Sequence, residues 1–408
     1  MEKNLKIGLF GFGCVGSGLY EVLNRSELIG ARIKTIVVKN KSKERSLPMH
    51  YFSFDPNEIL LDETINVVAE LIDDSEAAYK IVTQALRAGK HVVSANKKLV
   101  AEHLDELINL AKENKVSFLY EAAVAGSIPV IRNLEEYYNN DSLSGVVGVI
   151  NGTTNYILTQ ANEGIGYSEA LEKAQQLGFA EADPTLDVEG LDACYKLTIL
   201  IKHAFGNTVS PESIAVKGIT GLRNGDITYA RERGLRIKLL ARAERVGNEL
   251  FAVVAPHFVP ADHPTYEISN EFNAVVLQAL FSDRQLFIGK GAGSLPTASA
   301  VLSDISALKY DYQYEYRKSI EDRSPLVSEA FSVRAMVSGS QEVNLDAIEL
   351  DEVEERYIGK GEQFVVGRLN YTTLKHLFTQ KELSVVLFSD LPQVEEIRIP
   401  FVQENQYN

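Results

Sequence analysis

The 408-residue chain has only two cysteines, Cys14 and Cys194. Two thiols cannot build a disulfide framework, and so few suit a reducing compartment. It has no apolar run approaching the length of a transmembrane helix. It is short of positive charge: 41 Lys and Arg face 56 Asp and Glu, leaving a net charge of −15. That deficit argues against nucleic acid or an anionic membrane as the main partner. Internal repeats, low-complexity tracts and long linkers are missing as well. The start, MEKNLKIGLFGFGCVGSGL, has the charged-then-apolar order of a signal peptide. Glycines interrupt its apolar run and no small-residue cleavage site follows, so the cytoplasm is expected. What remains is an ordinary soluble composition, 45% hydrophobic and 24% charged, long enough for two or three domains acting on a small molecule.

The first third alternates short apolar runs with helical periodicity. Leu5–Phe10, Ile33–Val38, Val67–Ile72, Val92–Val93 and Val116–Tyr120 read as buried strands. Helices are expected after residue 13, over Glu76–Ala88 closed by Gly89, and over Ala101–Glu113. This grammar predicts an α/β fold, a Rossmann-type doubly wound parallel sheet, over residues 1–135. Residues 136–308 change character, with strands at Val146–Ile150, Leu250–Val259 and Ala274–Leu280. Helices fall at Tyr167–Leu177, Leu191–Phe205 and Pro296–Leu308, the last able to return to the first domain. A second α+β domain for substrate and dimerisation is expected there. Residues 309–408 form a small C-terminal α+β segment, with strands at Phe364–Leu369 and Ser384–Phe388 and a helix at Tyr371–Thr379.

Gly11, Gly13 and Gly16 stand as G-x-G-x-x-G between the first strand and its helix. The first glycine permits a tight turn, the second lets backbone approach a pyrophosphate, and the third lets helix and strand pack closely. The loop Gly11, Phe12, Gly13, Cys14, Val15, Gly16 is thus expected to bind a dinucleotide, with free helix N–H groups toward the phosphates. NAD binders usually place an acid at the end of the second strand. Here Lys39, Lys41, Lys43 and Arg45 follow it, which suits a 2′-phosphate. NADP is expected, with NAD possible.

Residues 181–196, EADPTLDVEGLDACYK, gather Glu181, Asp183, Asp187, Glu189 and Asp192 before one cation, Lys196. Such a cluster suits an ammonium substrate with a proton donor beside it. It equally suits a solvated helix entry, with Asp192–Lys196 as a plain i,i+4 pair. Three other segments lie at ends of expected strands: Ser94-Ala95-Asn96-Lys97-Lys98, Glu121 through Pro129, and Asn151 through Leu158. At Glu121 two readings stay open, a cation ligand or an acceptor of backbone N–H bonds. Lys97 could simply cap a strand end.

These segments in this order, with GKGAGSLPTASAVLSDI, resemble homoserine dehydrogenase over roughly residues 5–308. The resemblance implies NAD(P)-dependent interconversion of L-homoserine and L-aspartate 4-semialdehyde, in threonine, methionine and isoleucine biosynthesis. It implies Lys196 as proton donor and Lys97 as a second lysine near the reacting centre and nicotinamide. Glu181 and Asp192, with Thr153, are implied to bind substrate. Ser94, Gly178, Gly291 and Lys39 fall with the cofactor. Glu121 and the carbonyls of Val124, Gly126 and Ile128 are implied to hold a monovalent cation, sodium. A homodimer or homotetramer is implied too.

Other readings are weaker. A thioester-forming semialdehyde dehydrogenase needs a nucleophilic cysteine, and neither Cys14 nor Cys194 is placed for it. A non-catalytic nucleotide sensor would not need both lysines and both carboxylates. The chain departs from the family after the third strand of the parallel sheet, where Leu71-Ile72-Asp73-Asp74-Ser75 replaces a Gly-Gly pair. Its last hundred residues carry only a faint echo, Asp322-Arg323-Ser324-Pro325, of the opening of a regulatory domain. With no kinase domain ahead of residue 1, a monofunctional enzyme is expected.

Overall fold

The computed structural model describes residues 4–26, 30–139, 143–247, 249–319 and 327–394. Six parallel strands come first: β1 (Leu5–Phe10), β2 (Ala31–Val37), β3 (Phe52–Ser53), β4 (Val67–Glu70), β5 (His91–Ser94) and β6 (Phe118–Leu119). Their order is β3-β2-β1-β4-β5-β6, and each neighbouring pair is parallel. Near-continuous burial of β1, β4, β5 and β6 explains their apolar runs, as expected for a sheet covered on both faces, whereas β2 alternates. The order reverses between β1 and β4, so their carboxyl ends open the crevice where such sheets bind ligands. The run at Val116–Tyr120 shortens to two paired residues. From Glu121 the chain coils into a tight 3-10 turn, Glu121–Ala123.

The second sheet is mixed. It contains β7 (Leu143–Val149), β8 (Ala215–Val216), β9 (Arg236–Val246), β10 (Glu249–Val259), β11 (Phe272–Ala279) and β12 (Arg284–Lys290). The last part of the chain supplies β13 (Phe331–Ser340), β14 (Glu352–Ile358), β15 (Glu362–Asn370), β16 (Ser384–Phe388) and β17 (Gln393–Val394). The main order is β12-β11-β7-β9-β10-β16-β13-β15-β14. β16 joins β10 in parallel through His257↔Leu387 and Phe258↔Phe388. The C-terminal segment therefore continues the second sheet. Tyr371 pins it from beneath: its hydroxyl donates to the Ala252 carbonyl at 2.7 Å and accepts from the Ala215 N–H at 3.1 Å. The Asp322–Pro325 echo lies outside the described residues.

Two helices position the site. Leu191–Phe205 is bounded by Gly190 (φ 81°) and Gly206 (φ 79°), left-handed positions that stop it cleanly at both ends. All its residues except Leu191 and Tyr195 are buried, and it packs against helix Lys97–Glu113 and β9. Helix Ser294–Ala307 returns to the first sheet. It packs on helix Cys14–Arg25, where the Ser294 hydroxyl donates to the Cys14 carbonyl at 2.7 Å. A Cβ on Gly18 would lie 2.6 Å from Ser294, so a glycine is needed for this approach. Among the described residues no helix is long and apolar enough to cross a membrane.

Candidate active site

The glycine loop has the expected division of labour. Gly11 takes φ +93°, and a Cβ there would meet the Leu71 carbonyl at 2.4 Å. At Gly16 a Cβ would meet the Gly11 carbonyl at 2.3 Å, whereas nothing lies within 4 Å of one at Gly13. The first and third glycines are thus fixed by the protein's own packing. The second faces open space, the side a pyrophosphate needs, so the residues present fit a dinucleotide. Gly13 precedes helix Cys14–Arg25, and the cap carries no side-chain acceptor, leaving its first N–H groups for an anion.

The basic loop is partly self-engaged. Arg45 donates to the carbonyls of Lys43 and Asn40 at 2.8 and 2.6 Å. Lys39 stands exposed, 3.7 Å from the Asp74 carboxylate. Asp74 caps helix Ser75–Arg87 by accepting from the Ala77 N–H at 3.0 Å. This explains half of the Asp73-Asp74 departure: the second acid is a helix cap.

At the crevice two lysines meet one buried aspartate. Lys196 Nζ lies 2.7 Å from Asp192 Oδ2 and Lys97 Nζ 2.6 Å from Asp192 Oδ1. Lys196 also donates to the Ile150 carbonyl at 2.8 Å. Among the described residues two of its three N–H donors are therefore engaged, which leaves one for a ligand. Asn151 donates to Asp192 at 2.8 Å and to Asp187 at 2.7 Å. Its own oxygen caps helix Gly152–Asn162 at the Thr154 N–H, 2.8 Å away. The Thr153 hydroxyl lies 2.5 Å from the Phe179 carbonyl and 3.2 Å from Asp187.

The electrostatics separate the two lysines. Burial lowers Lys196; Asp192 opposes this and Lys97 adds to it. Lys97 is raised, chiefly by Asp192. Burial works against the charge on Asp192, but the two ammonium groups outweigh it and hold the carboxyl well below its ordinary range. The two like groups are thus pushed in opposite directions by their surroundings. For Lys196, desolvation and the second lysine outweigh the carboxylate.

A family model described as "Homoserine dehydrogenase" matches residues 129–306, and one described as "Homoserine dehydrogenase, NAD binding domain" matches residues 11–121. A homoserine dehydrogenase of Bacillus subtilis is 38% identical over 349 residues, 81% of each chain. The chain belongs to the homoserine dehydrogenase family. It is an NAD(P)-dependent oxidoreductase. A solved homoserine dehydrogenase from Thiobacillus denitrificans superposes with a TM-score of 0.84 at 30% identity, covering 95% of this chain and 99% of that one. A hyperthermophilic archaeal homoserine dehydrogenase solved with NADPH gives a TM-score of 0.65 at 27% identity, covering 76% of this chain and 99% of that one.

In this homoserine dehydrogenase family member the segment after β6 wraps a buried acidic pair. Glu121 accepts from the N–H groups of Ile131 and Arg132 at 2.8 and 2.9 Å, one of the two roles open from sequence. Burial, and then Asp304, push its carboxyl up to about 8. Burial lifts Asp304 to about 7, although Arg132 pulls it down. Gly126 takes φ +56°, and a Cβ there would meet Gly291 and Lys290 at 2.6 Å. Ser127 N–H donates to the Lys290 carbonyl at 3.0 Å. The Val124–Ile128 turn and the Gly291 loop are thus stapled together.

Of the other expected residues, Glu181 and Gly178 are loosely placed and Ser94 is locked in. Glu181 is exposed, and its backbone carbonyl accepts from Gln175 at 3.1 Å. Gly178 takes φ +76° with open space around it. Ser94 is fully buried with its hydroxyl turned to Glu70 at 2.6 Å. Asn151, Asp187 and Asn96 are site residues that the sequence reading does not single out. An N-cap signal at Asn151, ahead of Gly152-Thr153-Thr154, could have marked the first.

Proposed function

We propose that the enzyme interconverts L-aspartate 4-semialdehyde and L-homoserine, with Lys196 as the proton donor. Bound nicotinamide supplies the hydride to the aldehyde carbon, and the carbonyl oxygen becomes an alcohol oxygen once protonated. Lys196 carries the proton to that oxygen through its unengaged N–H, and solvent later restores it. Burial makes its ammonium a better acid than a free lysine. Lys97, kept positive by Asp192, offsets negative charge developing on the oxygen. Glu181, Asp192 and Thr153 are assigned to the substrate, with Asp187 joining them beside Thr153. The carrying observation is the pair of lysines sharing the two oxygens of one buried aspartate at the crevice.

The finer assignments rest on separate support. NADPH is favoured over NADH because Lys39, Lys41 and Lys43 follow β2. The loop residues Gly11 to Gly16, with Ser94, Gly178 and Gly291, are assigned to the cofactor side. A monovalent cation, sodium, is assigned to Glu121 with the carbonyls of Val124, Gly126 and Ile128. Two buried carboxyl groups, Glu121 and Asp304, share the Arg132 guanidinium there, which supports it. Residues 1–135 serve the nucleotide and 136–308 the substrate and self-association. The edge strand β12 supports a homo-oligomer: Leu286 and Ile288 are 41% and 55% exposed, beside exposed Leu280 and Phe281. A role in threonine, methionine and isoleucine biosynthesis is assigned from the reaction, and a cytoplasmic place from the low cysteine count.

Replacing Lys196 by Ala tests the central role. Turnover, read as NADPH absorbance loss with L-aspartate semialdehyde, is expected to fall by about 10²–10⁴-fold while NADPH still binds. A near-normal rate in that variant removes Lys196 as the donor.

A further inference from the structure

Glu70 is a buried carboxylate that the chemistry above does not use. It is the last residue of β4 and lies opposite Phe10 of β1 and Ser94 of β5. It is completely buried. Its Oε1 accepts from the Ile72 N–H at 2.9 Å and its Oε2 from the Ser94 hydroxyl at 2.6 Å. Ser94 Oγ in turn accepts from the Asn96 N–H at 3.0 Å. Asn96 closes the ring: its Nδ2 donates to the Ile72 carbonyl at 3.1 Å, and its oxygen accepts from the Leu99 N–H at 3.0 Å. One carboxylate thereby ties the turn after β4 to the turn after β5. The second of these turns launches the helix whose first residue is Lys97.

We propose that Glu70 is a positioning residue, fixing where the Lys97 helix begins so that its ammonium reaches Asp192. The inference rests on the reading of Lys97 and Asp192 as site residues. Ile72 N–H can only donate, and Ser94 turns its hydroxyl proton to Glu70 while accepting from Asn96. The joint as built uses two acceptor oxygens on one side chain, where an amide offers one and must turn an N–H toward Ser94. Burying such a group is costly without a reason. Burial raises the carboxyl to about 7, and Asp73 adds to the rise. Only Ala95 and Asn96 separate Ser94 from Lys97, so movement of the turn passes directly into the helix start. Displacements near 1 Å at a reacting centre cost on the order of 10²-fold in rate.

The test follows Lys97 itself. Site-resolved acylation of lysines by acetic anhydride, measured against pH on the full-length protein, reports the hold of Asp192 on Lys97; Asp187 and Glu181 are the other acids acting on it. In Glu70→Gln, and separately in Ser94→Ala, the Lys97 labelling midpoint is expected to fall and turnover to drop. The double variant should do no worse than the more severe single one. Buried Lys238 on β9, which burial lowers to about 8, keeps its wild-type midpoint, which a general loss of folding would not allow. A wild-type Lys97 midpoint in both folded single variants overturns the proposal. If the midpoint falls but Lys97→Ala turns over normally, the positioning stands and the chemical role given to Lys97 fails.

Discussion

Asp192 is the residue on which the site balances. It is 2% exposed, with one oxygen for each lysine and a hydrogen bond from Asn151. Removing one member of a buried charge cluster strands the others, at a cost of about 3–5 kcal/mol. Asp192→Asn should lose stability of that order at pH 7 in urea unfolding. The sign of its pH dependence follows from the depressed carboxyl. Its folded value lies below the unfolded one, which is near 4, so its stabilisation is complete above that pH. It is lost as the pH falls below about 4 toward the folded value. The wild type should therefore lose more stability than Asp192→Asn between pH 5 and 3. Identical acid profiles would show that Asp192 is not held as a paired anion. Part of this was legible: four-residue spacing on a helix put Asp192 beside Lys196. Lys97 is 95 positions from Asp192, and no local pattern carries that contact.

At the scale of elements, local signals worked where the physics was local. Helix Leu191–Phe205, strand β1 and helix Tyr371–Thr379 begin and end where periodicity and glycine placed them. Helix Gly152–Asn162 and strand β9 were not separated from their surroundings. The helix is buried on nearly every side, which erases the amphipathic period. The Asp73-Asp74 departure also resolves at this scale, since Asp74 caps the next helix and faces Lys39. Asp74→Asn keeps a good cap and removes a charge that competes for Lys39. NADPH affinity should rise by a few-fold, on the order expected for an exposed pair, with NADH affinity unchanged. Fluorescence titration of both cofactors checks it; equal shifts in both would place Asp74 outside 2′-phosphate selection.

For the whole molecule two consequences can be measured. If sodium sits at Glu121, raising NaCl against an equal concentration of choline chloride should raise the melting temperature, as any ligand of the native state does. The rise should vanish in Glu121→Gln. No difference between the two salts in the wild type would argue against the cation. If β12 is a subunit contact, Ile288→Asp should shift sedimentation velocity toward the monomer, since an unpaired charge opposes burial of that face. An unchanged sedimentation coefficient would place the contact elsewhere. The joining of β16 to β10 could not be read from sequence at all. It pairs residues 130 positions apart, and strand pairing at such separation leaves no periodic trace.

Helix Ser294–Ala307, packed on helix Cys14–Arg25, makes the nucleotide-binding half a two-part assembly. Its strands leave the ribosome well before the helix that covers their first helix, which is made only after β7 to β12. Until then the Gly18 surface lacks the partner that sits within 3 Å of a Cβ there. A nascent chain stopped before residue 294 would thus carry a complete glycine loop on an uncovered helix. Domains generally fold as units during synthesis; here the cover of the glycine-loop helix comes from 280 positions further along the chain.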